Sequence, residues 1–211
     1  DLDGYDRIIH RLRSPSIGEQ LRLLRNFSKQ KPDYIVVECM AVMPEYQWVS
    51  EHKMLKSDIG VITNVRMDHV DEMGYTMEEI TKSLSNTVPE NGKMITTKCP
   101  TSYLIEEKSN ESNSEYFEVS GDKVSQDMME GFPYLEHNEN VALALEVCKQ
   151  AGVDEKTALE GMVNATPDPG ALQIMNIRGK GENNHFVNAF AANDPQSTFQ
   201  IFKLLENRTD Q

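Results

Sequence analysis

Apolar positions along the chain switch between two periods. Ser16-x-x-Glu19 stands ahead of Leu21, Leu24 and Phe27, so a capping signature precedes a helical stripe and predicts a helix over 17–30. Lys31-Pro32-Asp33 halts it. Tyr34-Ile35-Val36-Val37 then forms a short unbroken apolar run that ends at Glu38. A run apolar at successive positions predicts a strand buried on both faces of a parallel sheet. A helical stretch broken at Pro44 leads to a second such run, Ile59 to Asn64, followed by the polar cluster Asp68-His69-Val70-Asp71. Thr76-x-x-Glu79 repeats the capping signature and opens a helix to about Asn86. Lys93 to Thr97, after the Asn91-Gly92 turn, reads as a third strand.

Further along, Glu106 to Glu115 is dense in Ser, Asn and Glu and predicts an exposed connection with no packed core of its own. Tyr116 to Val119 reads as a later strand. Val141, Ala144, Leu145 and Cys148 share one stripe of a helix over 138–151, stopped by Gly152, and Asp154 caps a further helix through Met162. Thr166-Pro167-Asp168-Pro169-Gly170 forbids a continuing helix and marks a domain boundary. Strands at Leu172 to Ile177 and His185 to Ala191 follow, then a helix from about Gln196 to Leu205. Strands alternating with helices define an α/β fold with a mostly parallel sheet flanked by helices. The chain divides into residues 1–166 and the opening of a second domain, 167–211.

Length agrees with that division, because 211 residues exceed the roughly 100 to 150 typical of one domain. Apolar residues at 38% and charged residues at 26% give an ordinary folded balance. Acidic residues outnumber basic ones, 34 to 21, and the net charge of -13 repels a phosphate backbone, which excludes nucleic acid as a partner. Any phosphate or glutamate site must therefore carry its own cations. Cys39, Cys99 and Cys148 form neither a disulfide framework nor a zinc pattern, and this fits a reducing cytoplasmic compartment. No run reaches the roughly 18 apolar residues of a membrane span, so any anchor is expected outside this chain.

In open α/β sheets ligands gather beyond the carboxyl ends of strands, which singles out Glu38 and the Asp68 to Asp71 cluster. A carboxylate and an imidazole there can ligate magnesium, which in phosphoryl chemistry takes one or two protein ligands. The plain alternative is that Glu38 caps a neighbouring helix and His69 is a satisfied loop histidine. His10 and His52 lack partners at ligand spacing and are expected on solvated surface, while His137 and His185 are expected to be structural. No G-x-x-x-x-G-K-[ST] occurs, and Arg178-Gly179-Lys180-Gly181 reads as a hairpin turn. No serine or cysteine sits in a nucleophile elbow.

Five strings together resemble the poly-gamma-glutamate synthase ligase subunit family of capsule biosynthesis, in the Mur ligase superfamily. They are Pro15-Ser16-Ile17-Gly18-Glu19-Gln20, Val37-Glu38-Cys39-Met40-Ala41-Val42, Gly60 to Val65 with Asp68-His69-Val70-Asp71, Pro167-Asp168-Pro169-Gly170-Ala171, and His185 to Asp194. Their order and spacing span nearly the whole chain. The resemblance implies a Mur ligase-like central ATPase domain without its phosphate loop, then the start of a Rossmann-like C-terminal domain.

It also implies an ATP-dependent amide ligase. ATP phosphorylates the terminal carboxylate of a growing glutamate chain, and the amine of an incoming glutamate attacks the acyl phosphate. Glu38 and His69 match the family's catalytic magnesium ligands. Asn138 and Asn140 lie where Mur ligases carry an HNxxN motif facing adenine, and Asn140 is the favoured match. Asn193 and Asp194 stand where those ligases have a His-Asn pair near the nucleotide. The carbamylated lysine of Mur ligases is matched by Leu84, so a carbamate bridge is not expected. Implied partners are glutamate, poly-gamma-glutamate and other subunits of a membrane-bound synthase at the inner face of the cell membrane. Without the phosphate loop the isolated chain is expected not to ligate. The alternatives are a non-catalytic scaffold of that assembly and a folylpolyglutamate or Mur-type ligase.

Overall fold

The computed structural model describes residues 16–132, 134, 136–166, 172–178, 183–190, 192, 198–199, 201–203 and 205. Its centre is a three-stranded parallel sheet in the order β1 (Ile59–Ile62), β2 (Lys93–Thr97), β3 (Glu115–Val119). Register pairs Ile59 with Lys93 and Met94 with Tyr116. Because successive side chains leave a strand on opposite faces, Met94 and Ile95 of the central strand enter different cores, and both are fully buried.

Met94 joins Ile62, Val65, Ile80, Val88 and Ile105 beneath α3 (Val70–Met73), α4 (Met77–Leu84) and α5 (Ser102–Glu111). Ile95 joins Val119, Val124, Val141, Ala142 and Leu143 beneath α6 (Gln126–Glu130), α7 (Asn138–Gln150) and α8 (Glu155–Asn164). Helices thus cover both faces of a parallel sheet, the arrangement that parallel strands require.

Local signals account for most helix ends. Ser16 Oγ accepts the Glu19 N–H at 3.3 Å to start α1 (Ile17–Gln30), and Thr76 and Glu79 cap α4 reciprocally. Asp154 Oδ1 accepts the Thr157 N–H at the head of α8. Pro44 opens α2 (Pro44–Val49) rather than breaking a helix, since its missing N–H costs nothing in a first turn, and α2 runs on into a π-helical segment, Ser50–Leu55.

Three further expectations are corrected. Tyr34 to Val37 is not a strand: no described segment pairs with it, and Val36 is 96% exposed. An apolar run becomes a buried strand only when a neighbouring strand supplies hydrogen bonds and a layer covers each face. Glu106 to Glu115 is not an exposed connection. Most of it belongs to α5, whose Ser102, Ile105 and Ser109 form one buried stripe, with the small serines allowing close approach to the sheet. His52 is not on solvated surface. Its side chain is 8% exposed, its ring centroid lies 5.2 Å from that of Trp48, Nδ1 lies 3.5 Å from Glu90, and the buried Nε2 has no hydrogen-bond partner among the described residues. His10 lies outside the described residues.

A second sheet pairs β4 (Gln173–Arg178) with β5 (Asn183–Asn188) antiparallel. These are the two strands expected after the boundary. The Pro167–Ala171 string, the Gly179–Gly181 turn and most of the expected final helix lie outside the described residues.

Candidate functional site

The carboxyl ends of β1 and β2 are tied together by threonine side chains. Thr96 Oγ1 donates to the Ile62 carbonyl at 2.9 Å, and Thr97 Oγ1 donates to the Thr63 carbonyl at 2.7 Å. The chain leaving β1 then runs through the buried Val65 to Asp68 and His69. His69 caps α3 with φ 48 and ψ 43, a left-handed conformation that a non-glycine residue adopts at a cost, and such strain collects at functional sites. Asp68 braces the turn. Its Oδ1 accepts the His69 N–H at 2.8 Å, while Oδ2 lies 3.7 Å from His69 Nε2. The imidazole is half exposed and open to a ligand.

Glu38 stands in the coil between α1 and α2. Gln20 Nε2 of α1 donates to its carbonyl at 3.1 Å, which leaves the exposed carboxylate facing water. No hydrogen bond or ion pair among the described residues joins Glu38 to His69, and no group of three or more metal-ligating side chains is found among them. Sequence reading missed the amides that hold this coil. Gln20 stands in the Pro15–Gln20 string without a role of its own there, and Gln47 belongs to no string or motif.

Helix α7 begins beside the end of β3. A Cβ on Gly121 would come within 3.0 Å of both Asn138 Cβ and the Glu139 N, so the β3 loop and the helix start are in direct contact. Asn138 and Asn140 are both exposed there. Asn140 Nδ2 donates to Glu136 Oε1 at 2.7 Å, and the same oxygen accepts the His137 N–H at 2.8 Å. Asn193 and Asp194 lie outside the described residues. Leu84 packs against the core, and Lys82 is exposed.

On the outer edge of the sheet, Tyr116 Oη lies 3.4 Å from Glu118 Oε2, which also accepts from Ser102 Oγ at 2.5 Å. Burial, reinforced by the Glu118 and Glu106 carboxylates against one lowering contact from Ser102, pushes the Tyr116 phenol up to about 12. A phenol whose folded pKa exceeds its unfolded value near 10 adds stability below pH 10, and that stability is lost as pH rises towards 12. Tyr116→Phe is therefore expected to flatten the fall of stability between pH 10 and pH 12. Urea titrations at several pH values read this directly, and an unchanged slope would contradict it.

A family model described as the Mur ligase middle domain matches residues 13–166, and one described as the poly-gamma-glutamate synthase CapB C-terminal domain matches residues 174–211. The chain is 40% identical over 189 residues to PGA synthase CapB of Bacillus subtilis, covering 90% of this chain and 48% of that protein. It is 36% identical over 205 residues to capsule biosynthesis protein CapB of Bacillus anthracis, covering 97% and 44%. The chain thus spans about half the length of these curated relatives. An FPGS-AMPPCP complex has a similar fold, with TM-score 0.65 and 16% identity over 88% of this chain and 50% of that one. No described helix is long and apolar enough to cross a membrane.

Proposed function

The chain belongs to the Mur ligase family, and on that premise we propose that it is the central part of an ATP-dependent amide ligase that forms gamma-glutamyl bonds. The observation that carries this reading is the loop after β1, where Asp68 holds His69 in a left-handed turn at the carboxyl end of a parallel strand. The names of the relatives supply the product, poly-gamma-glutamate. Residues 1–166 form most of the ATPase domain, and residues 167–211 open the C-terminal ligase domain, a division supported by the two matched spans.

The reaction joins two anions. The γ-phosphoryl group of ATP passes to the terminal carboxylate of the acceptor and ADP leaves; the incoming amine then attacks the acyl carbon, phosphate departs and the amine proton is lost. On a chain of net charge -13 this requires local neutralisation. Magnesium held by Glu38 and His69 supplies that positive charge when bound. Asp68 fixes the backbone at His69, and Gln20 fixes the backbone beneath the Glu38 carboxylate. Asn140, at the start of α7, is the residue that would meet the adenine, with Asn138 as the alternative, and Asn193 and Asp194 are the nucleotide-binding residues implied for the second domain. Other subunits of a membrane-bound synthase at the inner face of the membrane are the partners.

In the full-length protein, Glu38→Ala and His69→Ala are expected to raise the magnesium concentration that supports half-maximal ATP affinity, by on the order of tenfold. Nucleotide binding titrated against magnesium measures this. A non-catalytic scaffold would be indifferent to both substitutions, and that outcome would remove the reading.

A further inference from the structure

Gln47 occupies the middle of α2 with 1% of its surface exposed, and its amide reaches three separate segments. Nε2 donates to the Val42 carbonyl at 3.0 Å and lies 4.0 Å from Met73 Sδ; Oε1 accepts from Ser83 Oγ at 3.1 Å. Val42 belongs to the coil that carries Glu38. Met73 ends α3, the helix capped by His69. Ser83 belongs to α4, which packs on the sheet core through Ile80.

A primary amide has two N–H donors and one carbonyl acceptor, and here each is directed at a different segment. A buried amide costs stability when a bond is unmade, so the three segments hold one mutual arrangement. The coil at 38–43 has no strand ladder to place it. Its described side-chain anchors from other elements are the Gln20 bond at residue 38 and the Gln47 bond at residue 42.

We infer that Gln47 is a positioning residue that locks the Glu38 coil and the His69 helix into one spatial relation, so that both side chains serve a single cation. The inference rests on the ligase reading above, because it assumes that Glu38 and His69 act together. It adds that their separation is set from behind by a buried amide which touches neither nucleotide nor metal.

The test uses the full-length protein with Gln47→Met, which keeps the length of the side chain and removes its hydrogen bonds, and Ser83→Ala, which removes one anchor and is tolerated more readily. Thermal melting and magnesium-titrated ATP affinity are measured for both, beside Glu38→Ala. The expected result is a rise of about tenfold in half-saturating magnesium for Gln47→Met and a smaller rise for Ser83→Ala, even at temperatures where each variant is fully folded. A purely structural glutamine would lower the melting temperature and leave the magnesium dependence unchanged, which overturns the inference. Should Gln47→Met not fold, an unchanged magnesium dependence in Ser83→Ala overturns it equally. If Glu38→Ala itself has no effect, the ligand assignment falls and the inference with it; if Glu38→Ala responds and the Gln47 and Ser83 variants do not, only the inference falls.

Discussion

Ile105→Ala is expected to cost about 3 kcal/mol of stability, whereas Val36→Ala is expected to change it by less than about 0.5 kcal/mol. Ile105 is fully buried in α5 and packs in the cluster of Ile62, Val65, Ile80, Val88 and Met94, so truncation loses apolar burial and leaves a cavity. Val36 is 96% exposed and has little packing to lose. Urea denaturation of this chain compares the two directly. The contrast is informative because the apolar pattern alone ranks them in the opposite order. Should Val36→Ala prove as costly as Ile105→Ala, the coil at 32–43 would have to be packed in solution.

Both misreadings come from treating local composition as a proxy for contacts. The Tyr34 to Val37 run has the chemistry of a central strand, but burial needs a partner edge, and pairing is a long-range fact that four residues do not carry. Helix α5 shows the converse: its polar residues cover the outer faces, and Ile105 with two serines suffices where the helix lies close to the sheet. What was legible had strong local causes. Thr76 and Glu79 announced α4, the Asn91-Gly92 turn preceded β2, and β1 pairs in parallel as expected, although Val61 is exposed and the strand is not buried on both faces. In α7 only Val141 of the expected stripe is fully buried, beside Ala142 and Leu143, which the stripe left out, while Ala144, Leu145 and Cys148 are half-buried.

Of the two candidate ligands expected at strand ends, His69 follows a strand and Glu38 stands in a coil. His69 follows β1 as the pattern placed it, and Asn138 and Asn140 open α7 next to the β3 loop. Illegible were the residues that act through the backbone. Gln20 and Gln47 hold carbonyls of the coil that carries Glu38, and a side chain bonding to backbone leaves no partner identity in the sequence.

Gly74→Ala is expected to destabilise the chain by about 3 kcal/mol and to disturb the His69 loop at the same time. Gly74 has φ 121 and ψ 164, a region that side-chain-bearing residues hardly enter, and an added Cβ would lie 2.4 Å from Glu79 Cβ and 2.9 Å from Glu79 Oε2. That same Oε2 accepts the N–H groups of Tyr75 at 2.8 Å and Thr76 at 3.1 Å, and the Glu79 N–H returns to Thr76 Oγ1 at 3.2 Å. Alanine therefore adds backbone strain and, by forcing Glu79 aside, opens the capping box that joins α3 to α4. Gly152 provides the reference: its φ is 83, yet an added methyl there would meet nothing within 4 Å, so Gly152→Ala should show the conformational cost alone, about 1 kcal/mol. The excess at Gly74 combines its harder backbone region with the loss of the lock between Glu79 and the turn. Equal costs for the two alanine variants in denaturant titrations would mean that neither the clash with Glu79 nor the lock it breaks contributes.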